Sequence, residues 1–259
     1  MTRLVRSGAG ALSFLAVLLW LGLAGLPSIL LLSVPASRVR RSRRLSWISI
    51  WARTNSRVVL GLLRLGGARY VRQGEIETDK PGIIVMNHQS LLDIPTAIVM
   101  AGPLVPAFVT RERYCLVPMI ATGLRLADCP VIDPWQDRDG ALATLRQAVW
   151  QDRALLIYPE GHRSQDGELQ PFRNGGLFAM LEERRVPVWL VATDGFCAGR
   201  RLIDFVLHVH RIRGRTELVG RYEPPADAEQ LPAFIDRLHG DLAARLERMR
   251  RTERSSLVP

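Results

Sequence analysis

The sequence predicts an α/β fold: a largely parallel mixed sheet flanked by helices, preceded by an N-terminal membrane-embedded helical segment. Three observations carry that prediction. Short apolar runs of strand length alternate with longer amphipathic stretches between residues 70 and 250. Two of those runs, at 82–86 and 154–158, stop abruptly in polar loops, where parallel strands deliver side chains to a cleft. Finally, no charged residue occurs between Gly8 and Ser37.

Residues 1–44 form the anchor. The uncharged stretch is long enough to cross a hydrocarbon core of ~30 Å and too long for the core of a signal peptide. Pro27, after Gly22 and Gly25, divides it, so two arrangements stand: one tilted span, or a re-entrant pair turning near Gly25-Leu26-Pro27. Arg38, Arg40, Arg41, Arg43 and Arg44 follow. Such a cluster places the following domain at the cytoplasmic face and attracts anionic phospholipid. In a bacterium the membrane would be the inner one. Residues 45–69 carry Trp47, Ile48, Trp51, Val58 and Leu62 among arginines, the pattern of an amphipathic interfacial helix or of a helix covering the sheet.

From 70 to 254 the alternation gives strands at 70–74, 82–86, 106–110, 130–133, 154–158, 186–193, 203–212 and 216–223. Helices fit at 90–101, 115–124, 140–151, 174–184 and 228–250. The last two strands, with no helix between them, predict an antiparallel addition to the sheet. The final helix is basic, with Arg245, Arg248, Arg250, Arg251 and Arg254, either a solvated face or a second lipid or carrier contact. Residues 255–259 read as a disordered tail.

Composition narrows the partners. At 259 residues and 47% hydrophobic content, the chain supports one core plus an anchor. The net charge of +10 is carried by arginine, Lys80 being the only lysine. Arginine suits phospholipid headgroups and phosphorylated substrates. Nucleic acid is set aside, because the basic runs do not alternate with stacking aromatics. Cys115, Cys129 and Cys197 show neither metal spacing nor a paired framework, and read as reduced, mostly buried thiols.

The chemistry concentrates in two loops. His88 stands at the turn after the 82–86 strand, and Asp93 follows five residues later on the next helix. A carboxylate there reaches back to one imidazole nitrogen, fixes the tautomer and leaves the other nitrogen free to take a proton. Ser90 caps that helix. At the second strand end, Pro159 and Gly161 punctuate a loop carrying Glu160 and Arg163. No G-x-S-x-G elbow occurs, against a serine hydrolase. No second histidine lies at ligand spacing from His88, so no metal is expected.

These residues resemble a known family, the glycerolipid acyltransferases of the lysophosphatidic acid acyltransferase type. Asn87-His88-Gln89-Ser90-Leu91-Leu92-Asp93 is similar to its NHx4D block. Tyr158-Pro159-Glu160-Gly161-His162-Arg163-Ser164 is similar to FPEGTRS, Pro171-Phe172-Arg173-Asn174-Gly175-Gly176 to the PFKxGA segment, and Val186-Pro187-Val188 to the start of VPIVPV. The order is the family's, across roughly 82–195. Three departures stand out: Pro134 where an arginine follows the second block's Asp, His162 for a small hydroxyl residue, and Leu190 for a second proline.

The resemblance implies transfer of a fatty acyl group from acyl-CoA or acyl-carrier protein to the hydroxyl of 1-acyl-glycerol-3-phosphate, with no cofactor. His88 and Asp93 would be catalytic. Asn87, Ser90, Glu160, Gly161, Arg163 and Arg173 would contact substrate, and Arg111 and Arg113 would replace the missing phosphate arginine. The altered second block leaves two other acceptors open, a lyso-ornithine lipid or a lysophospholipid with a larger headgroup. A non-catalytic lipid-binding protein on the same fold is the remaining alternative.

Overall fold

The computed structural model describes residues 3–199 and 202–255. The chain begins with helix α1 (Arg3–Trp20), a π-helical turn (Leu21–Gly25) and helix α2 (Leu26–Ala36). It reverses at 37–40 into α3 (Arg41–Leu65). Then come strands β1 (Arg69–Gln73) and β2 (Gly82–Met86), helix α4 (Asp93–Met100), and the short strands β3 (Ala107–Phe108) and β4 (Thr110–Arg111). After these follow α5 (Pro118–Leu126), β5 (Val131–Ile132), α6 (Arg138–Ala148), β6 (Ala154–Ile157), α7 (Asn174–Glu183) and β7 (Val188–Asp194). Last are α8 (Leu202–Leu207), β8 (Arg213–Tyr222) and α9 (Leu231–Ser255).

The main sheet runs β1-β8-β7-β2-β6-β3. β2, β3, β6 and β7 are parallel, with Ile84 between Leu156 and Trp189. β8 adds antiparallel to β7, and β1 pairs parallel to β8. β4 and β5 form a separate pair. Every residue of β2 is buried, because both faces are covered. Ile83 and Val85 pack against Leu145, Met180 and Leu238 from α6, α7 and α9. Ile84 and Met86 point the other way, to Ala97 and Met100 of α4.

Residues 203–212 are not a strand. They form α8 and a 3-10 turn, Val209–Arg211. Phe205, Val209 and Ile212 recur at helical spacing and pack under α1, with Phe205 stacked on Phe14 at 5.7 Å. A helical period was thus present inside an apolar run that also fitted a strand. The 106–110 strand is shorter than expected: it breaks at Val109, so β3 pairs with β6 while β4 turns away to β5.

No turn occurs at Gly25-Leu26-Pro27. Gly25 and Leu26 keep helical angles (φ −61° and −66°). Pro27 removes one rung of the hydrogen-bond ladder, and the wider π-helical turn before it absorbs the mismatch. Gly8–Ala36 remains long and apolar enough to cross a membrane. Yet both its ends lie on the rest of the molecule, α1 against α3 and α8 and α2 against α5. Leu12, Leu15, Leu19, Leu23, Leu30 and Val34 form its outward stripe, all exposed. Two arginines of the 38–44 cluster are committed elsewhere: Arg41 and Arg44 both bind Asp128, at 2.8 and 2.5 Å. None of the three cysteines forms a disulfide among the described residues, and all three are partly exposed rather than mostly buried. Ser255 ends α9, and the rest of the expected tail lies outside the described residues.

Candidate active site

The loop after β2 spends almost every polar group on its own frame. Asn87 acts as an extra ladder rung: its side chain donates to Thr193 O and accepts from Thr193 N, both at 2.8 Å. Gln89 donates to Gly167 O and to Asp194 Oδ1, each at 2.9 Å. Ser90 Oγ donates to Gly199 O at 2.6 Å and accepts weakly from Leu92 N at 3.3 Å. That bond draws Ser90 away from a capping position, and α4 starts three residues later, at Asp93.

Asp93 is fully buried. Its Oδ2 accepts from Gln89 N at 2.6 Å and Ser90 N at 2.8 Å, and lies 2.7 Å from His88 Nδ1. An acceptor-only carboxylate at that distance makes Nδ1 the protonated nitrogen. His88 lines the main cavity, and its free Nε2 lone pair is the one polar group of the loop left for a ligand.

The second loop clamps His88 from behind. Glu160 Oε1 accepts from His88 N at 2.7 Å, its Oε2 accepts from Gln170 N at 2.9 Å, and Ser164 N donates to His88 O at 2.7 Å. Tyr158 stacks on the imidazole, centroids 4.0 Å apart. Burial pushes the Glu160 carboxyl up to about 7, against the two amides that favour its charged form. Gly161 has φ +73°, where a side chain would also strike Arg173.

Asn87, Ser90 and Glu160, expected to contact substrate, are therefore buried parts of the frame. Gly161, Arg163, Arg173, Arg111 and Arg113 do line the cavity beside His88. Arg111 donates to Gly161 O. Burial, reinforced by Arg113 and Arg173, lowers its pKa. One contributor was missed from the sequence, and another, Arg138, stands near the place of the absent arginine but out of register with it. Trp135, 63% exposed, lies under two guanidiniums, Arg173 at 4.7 Å and Arg111 at 5.7 Å from its ring centroid. Arg138 joins the same rim. The signal for Trp135 was a large aromatic directly after Pro134 at a strand end.

The cavity holds about 1140 Å³, above the usual range for a single small ligand. Its rim carries five arginines, and no Asp or Glu lines it among the described residues. Its interior is apolar, walled by Trp51 and Ala52 of α3, Ile98 of α4, Met119 of α5 and Leu142 of α6. Arg250 of α9 braces the whole from outside. It binds Asp194 at 3.1 Å, Glu168 at 2.6 Å and Gly167 O at 2.7 Å, sharing Asp194 and Gly167 with Gln89.

Comparison with known proteins adds relatives. A family model described as Acyltransferase matches residues 66–192. The chain is similar to the putative 1-acyl-sn-glycerol-3-phosphate acyltransferase acl-1 of Caenorhabditis elegans, 32% identical over 128 residues, 47% of this chain and 48% of that one. It is 30% identical over 128 residues to the 1-acyl-sn-glycerol-3-phosphate acyltransferase of Helicobacter pylori, covering 48% of this chain and 53% of the other. The chain spans about half, or less, of the length of the curated relatives it matches. Among solved structures, the 1-acyl-sn-glycerophosphate acyltransferase PlsC from Thermotoga maritima aligns with a TM-score of 0.70 at 18% identity, covering 96% of this chain and 98% of that one. At that identity the likeness establishes the fold.

Proposed function

The chain belongs to the acyltransferase family through residues 66–192, and from that premise we propose that it moves a fatty acyl group from a thioester to the free hydroxyl of 1-acyl-glycerol-3-phosphate. The observation that carries the reading is the single uncommitted nitrogen of His88, between an arginine rim and an apolar interior. His88 Nε2 takes the hydroxyl proton as the alcohol oxygen attacks the thioester carbonyl. Asp93 holds the ring and balances the imidazolium that forms. The tetrahedral intermediate then expels the thiol, which leaves with the proton returned by His88. The thioester is already activated, so no enzyme nucleophile is needed; holding hydroxyl, base and carbonyl together supplies much of the rate.

The rim supports a phosphate monoester acceptor. Arginine forks suit its oxygens, whereas the ammonium of a zwitterionic headgroup such as that of a lyso-ornithine lipid would face five guanidiniums and no carboxylate of the rim. The apolar interior suits an acyl chain. Acyl-CoA and acyl-carrier protein are both anionic and both fit. The exposed leucine stripe, packed sideways on the domain at both ends, supports lodging in one leaflet beside the cavity rather than spanning with the domain outside.

The test is acyl transfer by detergent-held protein, offering both donors and a panel of lysolipids, with His88→Ala alongside. Turnover with 1-acyl-glycerol-3-phosphate should fall by roughly 10³-fold in the variant. Activity unchanged by His88→Ala would remove the base assignment. Lipid binding without turnover in the wild type would favour a non-catalytic protein.

A further inference from the structure

A second cavity, of about 490 Å³, opens where α3, the C-terminal end of α4 and the end of β1 meet. Arg53, Arg57 and Arg72 line it, with Gly74, Glu75, Val99 and Ala101. None of its residues belongs to the cavity that holds His88. We propose that this cavity is a separate phosphate-binding site, filled by the headgroup of an anionic phospholipid.

Charge balance argues for an anion. Arg53 donates to Gly102 O and Arg72 to Val99 O, which fixes two guanidiniums over the end of α4. A helix C-terminus carries only about −0.5 of a charge. Three guanidiniums against that end and the Glu75 carboxylate leave about +1.5 unbalanced. Among the described residues none of the three arginines forms an ion pair, and Arg57 makes no hydrogen bond. Arg53 Nε is buried without any partner, a donor that costs free energy until something accepts from it. Burial, then the neighbouring Arg57, lowers the Arg53 pKa, as crowding of like charge requires. The arginines of α9 show the contrast in charge: Arg245 and Arg250 both have buried or largely buried acidic partners, although Arg245 Nε, like Arg53 Nε, has no hydrogen-bond partner of its own.

Position argues for a lipid. Arg53, Arg57 and Arg64 lie on one stripe of α3, while Asn55 and Leu62, on another, contact α1 through Trp20 and Ser13. One helix diameter, about 10 Å, therefore separates the arginines from the helix bearing the exposed leucines. With those leucines in hydrocarbon, the cavity lies within reach of the headgroup layer. Guanidiniums fixed by backbone carbonyls are pre-organised for phosphate oxygens.

Vesicle co-sedimentation tests this on the full chain, with phosphatidylcholine vesicles and with equimolar phosphatidylcholine–phosphatidylglycerol vesicles. Wild type should prefer the anionic vesicles. Arg57→Gln should weaken that preference about fivefold, and the Arg53, Arg57, Arg72 triple glutamine variant about a hundredfold. A control triple on the opposite face of the sheet, Arg146, Arg237 and Arg248 to Gln, should keep the wild-type preference. Arg57 is exposed and forms no hydrogen bond or ion pair among the described residues, so Arg57→Gln stays informative if the triple fails to fold. Turnover on detergent-dispersed acceptor should be unchanged in Arg57→Gln. Equal losses in test and control triples, or no change in Arg57→Gln, would overturn the site. Tight retention of inorganic phosphate without vesicles, lost in the triple, would overturn the lipid assignment.

Discussion

Glu160 holds two backbone amides, one of them that of His88, yet burial keeps its carboxyl near 7. The raised value means that ionising it opposes folding. There is no such cost below about pH 4.5, where the residue is protonated folded or unfolded. Between about 4.5 and 7 the unfolded chain releases the proton first, and stability falls by roughly 3 kcal/mol. Denaturant titrations across that window should show the wild type losing stability with rising pH relative to Glu160→Gln. Parallel profiles would mean that Glu160 ionises normally. The other residue to change is Trp135. Its ring holds Arg111 and Arg173 at the cavity rim, and each exposed cation–π contact is worth about 0.5–1 kcal/mol. Trp135→Ala should raise the acceptor KM about tenfold with little change in kcat, and Trp135→Phe should recover most of it. A fall in kcat alone would place the tryptophan in another role.

Among the elements, α9 does more than cover the sheet. Leu238, Leu242 and Leu246 of its inner face are buried in the core, while Arg245 reaches the buried Glu217 and Arg250 ties Asp194 to the 158–173 loop. The basic residues expected to meet solvent or a carrier thus include two that brace the fold. Arg250→Gln frees the loop that carries Glu160 and Arg163. It should cost about tenfold in kcat/KM without changing far-UV circular dichroism. Arg248→Gln, exposed two residues earlier, is the matching control, and equal effects in both would point to charge rather than to the loop.

Across the molecule, what could be read in advance was whatever is local. β2 and β6 are unbroken apolar runs and β7 is apolar as far as Ala192, because helices cover both faces of the sheet, and the His88–Asp93 pair is only five residues apart. The four sequence blocks fall inside the region that matches the family. What could not be read depends on distant partners. Asn87 meets Thr193, Ser90 meets Gly199 and Glu160 meets His88, all far apart in sequence. Side chains that looked available for substrate are occupied by the fold itself. Likewise α8 was hidden because Phe205 and Val209 are buried by α1, an element some two hundred residues away.

One feature of the first helices reaches beyond the single molecule. Trp51 and Ala52 of α3 wall the interior of the main cavity, while the same helix packs against the leucine-bearing α1. On the proposed function, fit to the chain being transferred and fit to the surrounding lipid would be written into the same few turns. A lineage moving to a thicker or stiffer membrane cannot retune one without disturbing the other, so the two traits should evolve together.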